Sequence, residues 1–445
     1  MTGHPGRTSR QDTLAQMLYS RDYGIPLRLQ AMERRKAALV EYAKLSAEAS
    51  RQVNTQIFGI ENSIKATTGY WSGLKDKAAM ARIEAAEKEL RAKVAKDPKL
   101  TADAGQSWAK IEQATLVSKG LAKEGANVGT AGSTLLGSAL SLVRIADEEA
   151  LPSEKRMPEY SDANLKSAKA RLGIPAPYYK EQEIFMFTKG LEEAAKELGA
   201  QHPFVKAMLG GKSAGVVAKA AVEGSKLSEP ESRKALLAGG KQGLANSSDP
   251  MIALAKKLDP LDRAIRKQQK EQVSSVIAEH GTRLAKARFA VYGKNTYPDA
   301  TSSLRLSYGA VAEYPANGTL IQPFTTFGGL FDRYDGWGGN GAKAHESAWT
   351  LPQRWLDKRG VLDATVPFNF AHKVDIIGGN SGSPVIDKKG ELVGLIFDGN
   401  IESLPGNYFY DEAVNRGVSV DARAILHALD KVYGAAGLVA ELTGK

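Results

Sequence analysis

The most restrictive feature of the sequence is a serine between glycines, Ser381, in the stretch Asp375-Ile-Ile-Gly-Gly-Asn-Ser-Gly-Ser-Pro-Val-Ile386. Glycine tolerates backbone conformations that other residues avoid, so Gly379 and Gly382 predict a tight turn. An apolar run follows Pro384, and a second apolar run spans residues 392–397. Two such runs separated by a turn are typical of a β-hairpin. We therefore expect a nucleophile loop that leads into a hairpin.

A loop of this kind suits acyl-transfer chemistry. A serine hydroxyl is a poor nucleophile until a positioned base takes its proton. Ser381 is the candidate nucleophile. The backbone N–H groups of Gly379 and Ser381 are the natural donors for the oxyanion that develops during attack.

The loop resembles that of chymotrypsin-like serine proteases, and more closely that of peptidase family S46. The bacterial dipeptidyl peptidases of the 7 and 11 type in that family carry Gly-Gly-Asn-Ser-Gly-Ser-Pro and, downstream, Phe-Asp-Gly-Asn. Both blocks occur here, at residues 378–384 and 397–400. The similarity extends over nearly the whole chain and is most specific over residues 366–435.

The resemblance implies a serine-type dipeptidyl aminopeptidase that releases dipeptides from peptide N-termini. Asp398 matches the family aspartate that binds the substrate α-ammonium group by a charge-assisted hydrogen bond, and Asn62 matches an asparagine that assists it. Gly399 matches the position that sets the preference for the residue before the cleaved bond (P1), where glycine goes with a hydrophobic or broad preference. Simpler interpretations stay open: Asp398 suits an Asp-Gly turn, and Asn62 suits a helix surface.

The general base is not evident from the sequence. The six histidines are His4, His202, His280, His345, His372 and His427. By resemblance, the catalytic histidine and aspartate belong to an N-terminal barrel that precedes the helical part, and this chain shows no match to it. His372 matches a strand residue, while His4 lies in a linker and His345 in a loop. We therefore expect a fragment of a longer enzyme; the alternative is a non-catalytic peptide-binding protein of the same fold.

The residues from about 27 to 290 are patterned as helices, because apolar residues recur mostly three and four positions apart. We expect Asp97-Pro98 to close the first helical run and Thr67-Thr-Gly69 to interrupt it as a turn. A later helix is expected to begin at Asp259-Pro260, since Asp is a good N-cap and Pro suits the first helical position.

The patterning changes at about residue 291. Residues 291–445 hold 18 of the chain's 32 aromatic residues and several alternating apolar runs, which are typical of short strands and turns. Residues 328–345 contain six glycines and predict a loop. A last strand is expected at 416–421 and a terminal helix at 425–442.

By resemblance the fold class is α+β. A large α-helical cap domain is followed by a chymotrypsin-like β-barrel and a C-terminal helix. The predicted boundaries are a linker at 1–12, the cap at 13–290, and the barrel with its helix at 291–445.

Charge is unevenly distributed along the chain. Residues 291–445 hold 14 Lys and Arg against 17 Asp and Glu, whereas residues 1–290 hold 46 against 33. Nucleic-acid binding is one interpretation of a basic half. The lysines alternate with glutamates at helical spacing, however, which favours a solvated helical surface. We expect no nucleic-acid partner.

Other partners follow from the same sequence. We expect peptide substrates with a free N-terminus, no membrane insertion, and no cofactor or metal ion, since no metal-ligand or dinucleotide motif is present. The chain has no cysteine. A periplasmic or secreted location follows from the resemblance, although the first residues show no signal peptide. A homodimer is compatible with the resemblance, but the sequence does not specify one.

Overall fold

The computed structural model describes residues 1–296, 298–340 and 347–444. It contains two compact units. Unit 1 consists of Met1–Asp12, Thr68–Ala85 and Tyr292–Lys445, and unit 2 of Thr13–Thr67 and Ala86–Val291. The predicted division into linker, cap and barrel stays a prediction. Residues 1–12 and Thr68–Ala85, however, group with the β-rich region rather than as the predicted boundaries place them.

Helices dominate the chain before residue 293. They are α1 Leu14–Tyr19, α2 Ile25–Ala43, α3 Ala47–Lys75, α4 Lys77–Ala95, α5 Pro98–Ala104, α6 Ser107–Asn127, α7 Thr134–Glu148, α8 Asp162–Leu172, α9 Lys180–Leu198, α10 Pro203–Leu209, α11 Ala214–Gly224, α12 Pro230–Ala245, α13 Pro250–Gln268 and α14 Ser275–Tyr292. π-Helical turns at Ser20–Gly24 and Gln269–Ser274 join α1 to α2 and α13 to α14, and 3₁₀ turns form at Ser153–Lys155 and Pro158–Tyr160.

Side-chain caps explain several of these starts. Thr13 forms a capping box with Gln16, and Asp97 accepts from the first N–H groups of α5. The Asp97-Pro98 pair therefore opens a helix as well as closing the preceding run.

Two predicted helix boundaries are wrong. Thr67 to Gly69 continue α3 without a turn. Asp259 and Pro260 lie inside α13, which begins instead after the N-cap Asp249. Asp259 is buried, and it accepts hydrogen bonds from Arg144 Nε and Arg263 Nε at 2.6 Å each.

The main core of unit 2 is built from α7, α9, α10, α11 and α13. Its fully buried side chains include Leu136, Phe187, Leu191, Phe204 and Leu258. Burial of such side chains stabilises the unit by roughly 1.5–3 kcal/mol each.

Unit 1 contains the β-structure. Its strands are β1 Thr2–Gly3, β2 Arg305–Leu306, β3 Tyr314–Ala316, β4 Thr319–Ile321, β5 Phe324–Thr326, β6 Pro367–His372, β7 Pro384–Ile386, β8 Leu392–Gly399 and β9 Gly417–Asp421. Five of them form an antiparallel sheet in the order β5-β6-β9-β8-β7, while β1 pairs with β2 and β3 with β4.

The predicted α+β class is confirmed in this coarse form, but the predicted chymotrypsin-like barrel is not. Within the described residues the five-stranded sheet is open, with β5 and β7 at its edges. The two edge strands, β5 and β7, do not pair with each other in the described ranges.

Helices also occur in unit 1, at α15 Phe327–Gly336, α16 Gln353–Asp357, α17 Ala422–Lys431 and α18 Ala436–Thr443, with 3₁₀ turns at Gly293–Asn295, Arg359–Val361 and Ile401–Asn407. The predicted loop at 328–345 is wrong over α15, where the Thr326 side chain caps the helix start by accepting from Gly329 N. Residues 341–345 of that prediction lie outside the described residues. The last strand is confirmed, and the terminal helix divides in two near Gly434 (φ +65°). Among the described helices, none combines the length and apolarity needed to cross a membrane.

Candidate functional site

Ser381 lies on a tight turn between β6 and β7, as predicted from its glycines. Gly379 and Gly382 have φ values of +107° and +84°, which other residues rarely adopt. Two backbone hydrogen bonds join the turn to β8: Gly382 N donates to Ile396 O at 2.7 Å, and Ile396 N donates to Ser383 O at 3.1 Å. Ser381 is therefore held rigidly although it is exposed.

This turn meets the second motif block, residues 397–400. Because β7 pairs antiparallel with β8, the end of β8 returns to the serine. Ser381 Oγ donates to Phe397 O at 3.4 Å. Phe397 falls where the β8–β9 register shifts, between Ile396 and Asp398, and such a bulge turns a strand locally. The structure thus brings Gly379 and Ser381 together with Asp398 and Gly399.

Within the part of the chain that the structure describes, the two predicted oxyanion donors make no hydrogen bond as donors. Gly382 N and Ser383 N donate to backbone carbonyls. By contrast, the N–H groups of Gly379 and Ser381 have no acceptor within the residues that the structure describes. Fixed N–H groups that face solvent on a rigid turn can donate to a developing negative charge.

The carboxylate of Asp398 is exposed at the same end of β8. Its Oδ1 accepts only from the adjacent Gly399 N, at 2.8 Å, among the described residues. Its neighbour Asn400 is buried and anchors the segment, since Asn400 Nδ2 donates to Val414 O at 2.7 Å and Asn400 Oδ1 accepts from Arg416 N at 2.9 Å. A positioned, largely unoccupied carboxylate suits an ammonium ligand.

Gly399 has little room for a side chain. A Cβ atom there would lie 2.4 Å from Ser403 Oγ and 3.2 Å from Arg416 O. The guanidinium of Arg416 is buried and donates to the carbonyls of Glu313, Glu412 and Asn415. The N–H groups of this guanidinium are therefore already used in hydrogen bonds within the protein.

Residues 1–12, which the sequence analysis assigns to a linker, contact the nucleophile turn. Gly6 N donates to Gly378 O at 2.7 Å, and a Cβ at Gly379 would meet His4 O at 2.5 Å. Arg10 forms a bidentate ion pair with Asp375 at 2.5 and 2.7 Å. The sequence analysis missed this support. The opposite charges of Arg10 and Asp375 were the one available signal, and the two residues are far apart in the sequence.

No histidine ring forms a hydrogen bond with Ser381 among the described residues, and His345 lies outside them. His372 is buried on β6, 2.8 Å from Ser419 Oγ, and burial lowers its pKa to about 4. His427 accepts from Asp363 N, and His4 is exposed. His202 and His280, in unit 2, contact Glu124 and Ser107.

Asn62 lies on α3 in the part that belongs to unit 2, and it is exposed. Its proposed role in binding the substrate amine stays a prediction. No cluster of three or more metal-ligating His, Cys, Asp or Glu side chains occurs within the described part of the chain.

Comparison with known proteins decides the family. The sequence profile described as Peptidase S46 matches residues 1–444. The chain belongs to peptidase family S46. One relative, the Asp/Glu-specific dipeptidyl-peptidase of Shewanella putrefaciens, is 27% identical over 99% of this chain and 64% of its own length. Another relative, dipeptidyl-peptidase 7 of Capnocytophaga gingivalis, is 37% identical over 33% of this chain and 21% of its own length.

Solved structures share the fold of this chain. Porphyromonas endodontalis DPP11 in complex with the dipeptide Arg-Glu aligns with a TM-score of 0.75 at 19% identity, covering 99% of this chain and 64% of that one. The same protein in complex with substrate aligns with a TM-score of 0.72 at 19% identity, covering 99% and 63%. The chain thus spans less than two thirds of the length of these proteins.

Proposed function

We propose that this chain supplies the nucleophile and the amine-binding carboxylate of a serine-type dipeptidyl aminopeptidase. One observation carries the proposal: Ser381 lies beside two unused backbone N–H donors and contacts the strand end that presents Asp398. The names of the S46 relatives agree with this activity. A periplasmic or secreted location and a chymotrypsin-like barrel are expected by the same resemblance, and a homodimer is compatible with it.

In the proposed reaction, Ser381 Oγ attacks the carbonyl carbon of the second residue of the peptide. The amides of Gly379 and Ser381 stabilise the oxyanion, and Asp398 binds the α-ammonium group. The amine leaves with a proton, and water then releases the dipeptide from the acyl-enzyme. We assign the base to a group outside the described residues, because those residues present none at Ser381.

We propose an uncharged P1 residue. Gly399 contributes no side chain, and the nearby Arg416 donates to backbone carbonyls, so neither offers a cation for a carboxylate. The name of the Shewanella putrefaciens relative specifies Asp/Glu, and the name of the Capnocytophaga gingivalis relative does not. The Gly399 site favours the second type for this chain.

The test uses the full natural polypeptide that contains this chain, with fluorogenic dipeptidyl substrates. We expect release from substrates with a free N-terminus and an apolar P1 residue, little from N-acetylated ones, and weaker release from those with Asp or Glu at P1. Ser381→Ala should lower kcat by about 10⁴-fold or more.

A second function, peptide binding without turnover, is favoured by the absence of a histidine contact to Ser381 in the described ranges. It predicts no hydrolysis by the natural protein, and equal peptide affinity with and without Ser381→Ala. Hydrolysis that survives Ser381→Ala would reject the proposed nucleophile.

A further inference from the structure

Unit 2 contains a cavity of about 930 Å³ that the proposed peptidase site does not use. One wall is a single stripe of α6, at Ser118, Leu121, Ala122 and Gly125. The others come from Tyr19, from the 3₁₀ turns around Met157, and from the end of α13. A volume of this size is typical of a pocket for a small organic ligand.

Part of the wall is π-helical. Four residues of the π-helical segment Gln269–Ser274 line the cavity, and Tyr19 directly precedes the other π-helical segment, Ser20–Gly24. π-Helical turns cost backbone regularity and occur frequently at functional sites. Simple helix packing does not require π-helical turns, so their presence in the wall favours a binding role for the cavity.

The carboxylates on the wall are largely neutralised by arginines. Glu159 binds Arg266 Nη1 at 2.5 Å, and Arg266 Nε also lies 3.0 Å from Asp262. Asp262 binds Arg144 as well. These carboxylates therefore contribute little net negative charge to the cavity.

Three lysines on the wall remain uncompensated. Lys155, Lys267 and Lys270 are exposed and have no ion pair among the described residues, and Glu271 is the single acidic wall residue that likewise lacks one. In addition, the buried Nη2 of Arg263 has no acceptor there. That atom is inaccessible to solvent, so the exposed lysines are the groups that can bind an anion in the cavity.

The same cavity has an apolar side. Leu121, Met157 and Ile265 line it, and the last two also pack against the main core of unit 2. A simple inorganic anion would leave this surface in water. An anion with an apolar body would bury it and still reach the lysines.

We propose that this cavity is a binding site for a small organic carboxylate with an apolar body. Lys267 and Lys270 attract the carboxylate, and Leu121 with its apolar neighbours holds the remainder. The site does not depend on the proposed peptidase function, since none of its residues belongs to the Ser381 turn or the Asp398 segment.

The probe is sodium octanoate, titrated into the full natural protein by isothermal calorimetry, with 1-octanol and inorganic sulfate as comparison ligands. We expect one saturable octanoate site per chain, weaker binding of both comparison ligands, and a Kd that rises with ionic strength. Removing two charges with Lys267→Gln and Lys270→Gln should raise Kd about fivefold.

The matched control is the pair Lys88→Gln and Lys99→Gln. These lysines are also exposed on unit 2 and have no ion pair within the described residues, so net charge changes equally. The control should leave Kd unchanged, and Leu121→Gln should weaken octanoate binding. Absence of saturable binding, an equal effect of both lysine pairs, or octanol or sulfate binding as tightly as octanoate would overturn the proposal.

Discussion

Asp398 is a charged side chain whose only described partner is the next residue's amide. If it binds the substrate ammonium group, Asp398→Asn removes a charge-assisted hydrogen bond worth about 1.5–3 kcal/mol. We expect the KM of free-amine substrates to rise about tenfold to a hundredfold, with a smaller change in kcat. Steady-state kinetics on dipeptidyl substrates measure this.

Glu391→Gln is the charge-matched control for that prediction, because Glu391 is exposed beside β8 and has no side-chain partner among the described residues. It should leave KM unchanged. An unchanged KM in Asp398→Asn would mean that another group binds the amine.

At this scale the sequence predicted the residues that form local motifs. Ser381, Gly379 and Asp398 belong to two short blocks, and strand pairing between neighbouring segments brings them together. It did not predict the pairing of Arg10 with Asp375, which are 365 positions apart. Local patterns contain no information on partners at such a distance.

Two glycines of α3 provide the surface on which the segment after Asp398 packs. A Cβ at Gly69 would lie 2.3 Å from Leu404 Cδ1, and one at Gly73 would lie 2.7 Å from Pro405 Cβ. Leu404 and Pro405 belong to the 3₁₀ turn Ile401–Asn407, directly after the Phe-Asp-Gly-Asn block. Helix and turn therefore approach more closely than any side chain would allow.

We predict that Gly69→Ala displaces this turn. It should lower the free energy of unfolding of unit 1 by about 1–3 kcal/mol, the usual cost of overpacking, and raise KM severalfold. Denaturant unfolding and steady-state kinetics on the same preparation measure both quantities.

Gly59→Ala on the same helix is the control, since a Cβ there meets nothing within 4 Å. It should stabilise α3 by up to about 1 kcal/mol through helix propensity. Adding Leu404→Ala to Gly69→Ala should make room for the new methyl group and bring KM part of the way back to its original value. If the two single glycine variants behave alike, the close approach has no role in positioning the segment.

The errors at the element scale have related physical causes. Thr67 to Gly69 suggested a turn, yet packing against Leu404 holds that glycine in a helix. Asp259-Pro260 suggested a helix start, yet Asp259 is buried against Arg144 within α13. In both places tertiary contacts outweigh a local preference of about 1 kcal/mol.

For the molecule as a whole, His372 predicts a stability that depends on pH. Its pKa falls from 6.5 to about 4 in the folded state, chiefly through burial. The unfolded chain therefore binds more protons between these values, and stability is lost as the pH falls from about 6.5 to about 4. The loss from this group should approach about 3 kcal/mol.

Urea unfolding from pH 7 to pH 4, followed by tryptophan fluorescence, measures this loss. Four of the five tryptophans lie in unit 1 (Trp71, Trp337, Trp349 and Trp355), so the signal reports mainly on the unit that contains His372. His372→Gln should lose less stability over the same range. Equal losses in both proteins would show that His372 does not titrate as described.

Whole-chain architecture was predictable in outline. Helical periodicity before residue 291 and aromatic, alternating segments after it predicted the α+β class, which the structure confirms. Closure of a barrel was not predictable, because it depends on pairing between sheet edges rather than on the pattern within any strand.

The support of Ser381 by residues 1–12 has a consequence for biosynthesis. Gly6 and Arg10 contact Gly378 and Asp375, so residues 1–12 can meet these partners only after the ribosome has translated some 365 further codons. At about 5–20 residues per second, this takes roughly 20–70 s. Residues 1–12 therefore remain without these partners while the rest of the chain is made, and they are already available when the segment that contains Ser381 leaves the ribosome.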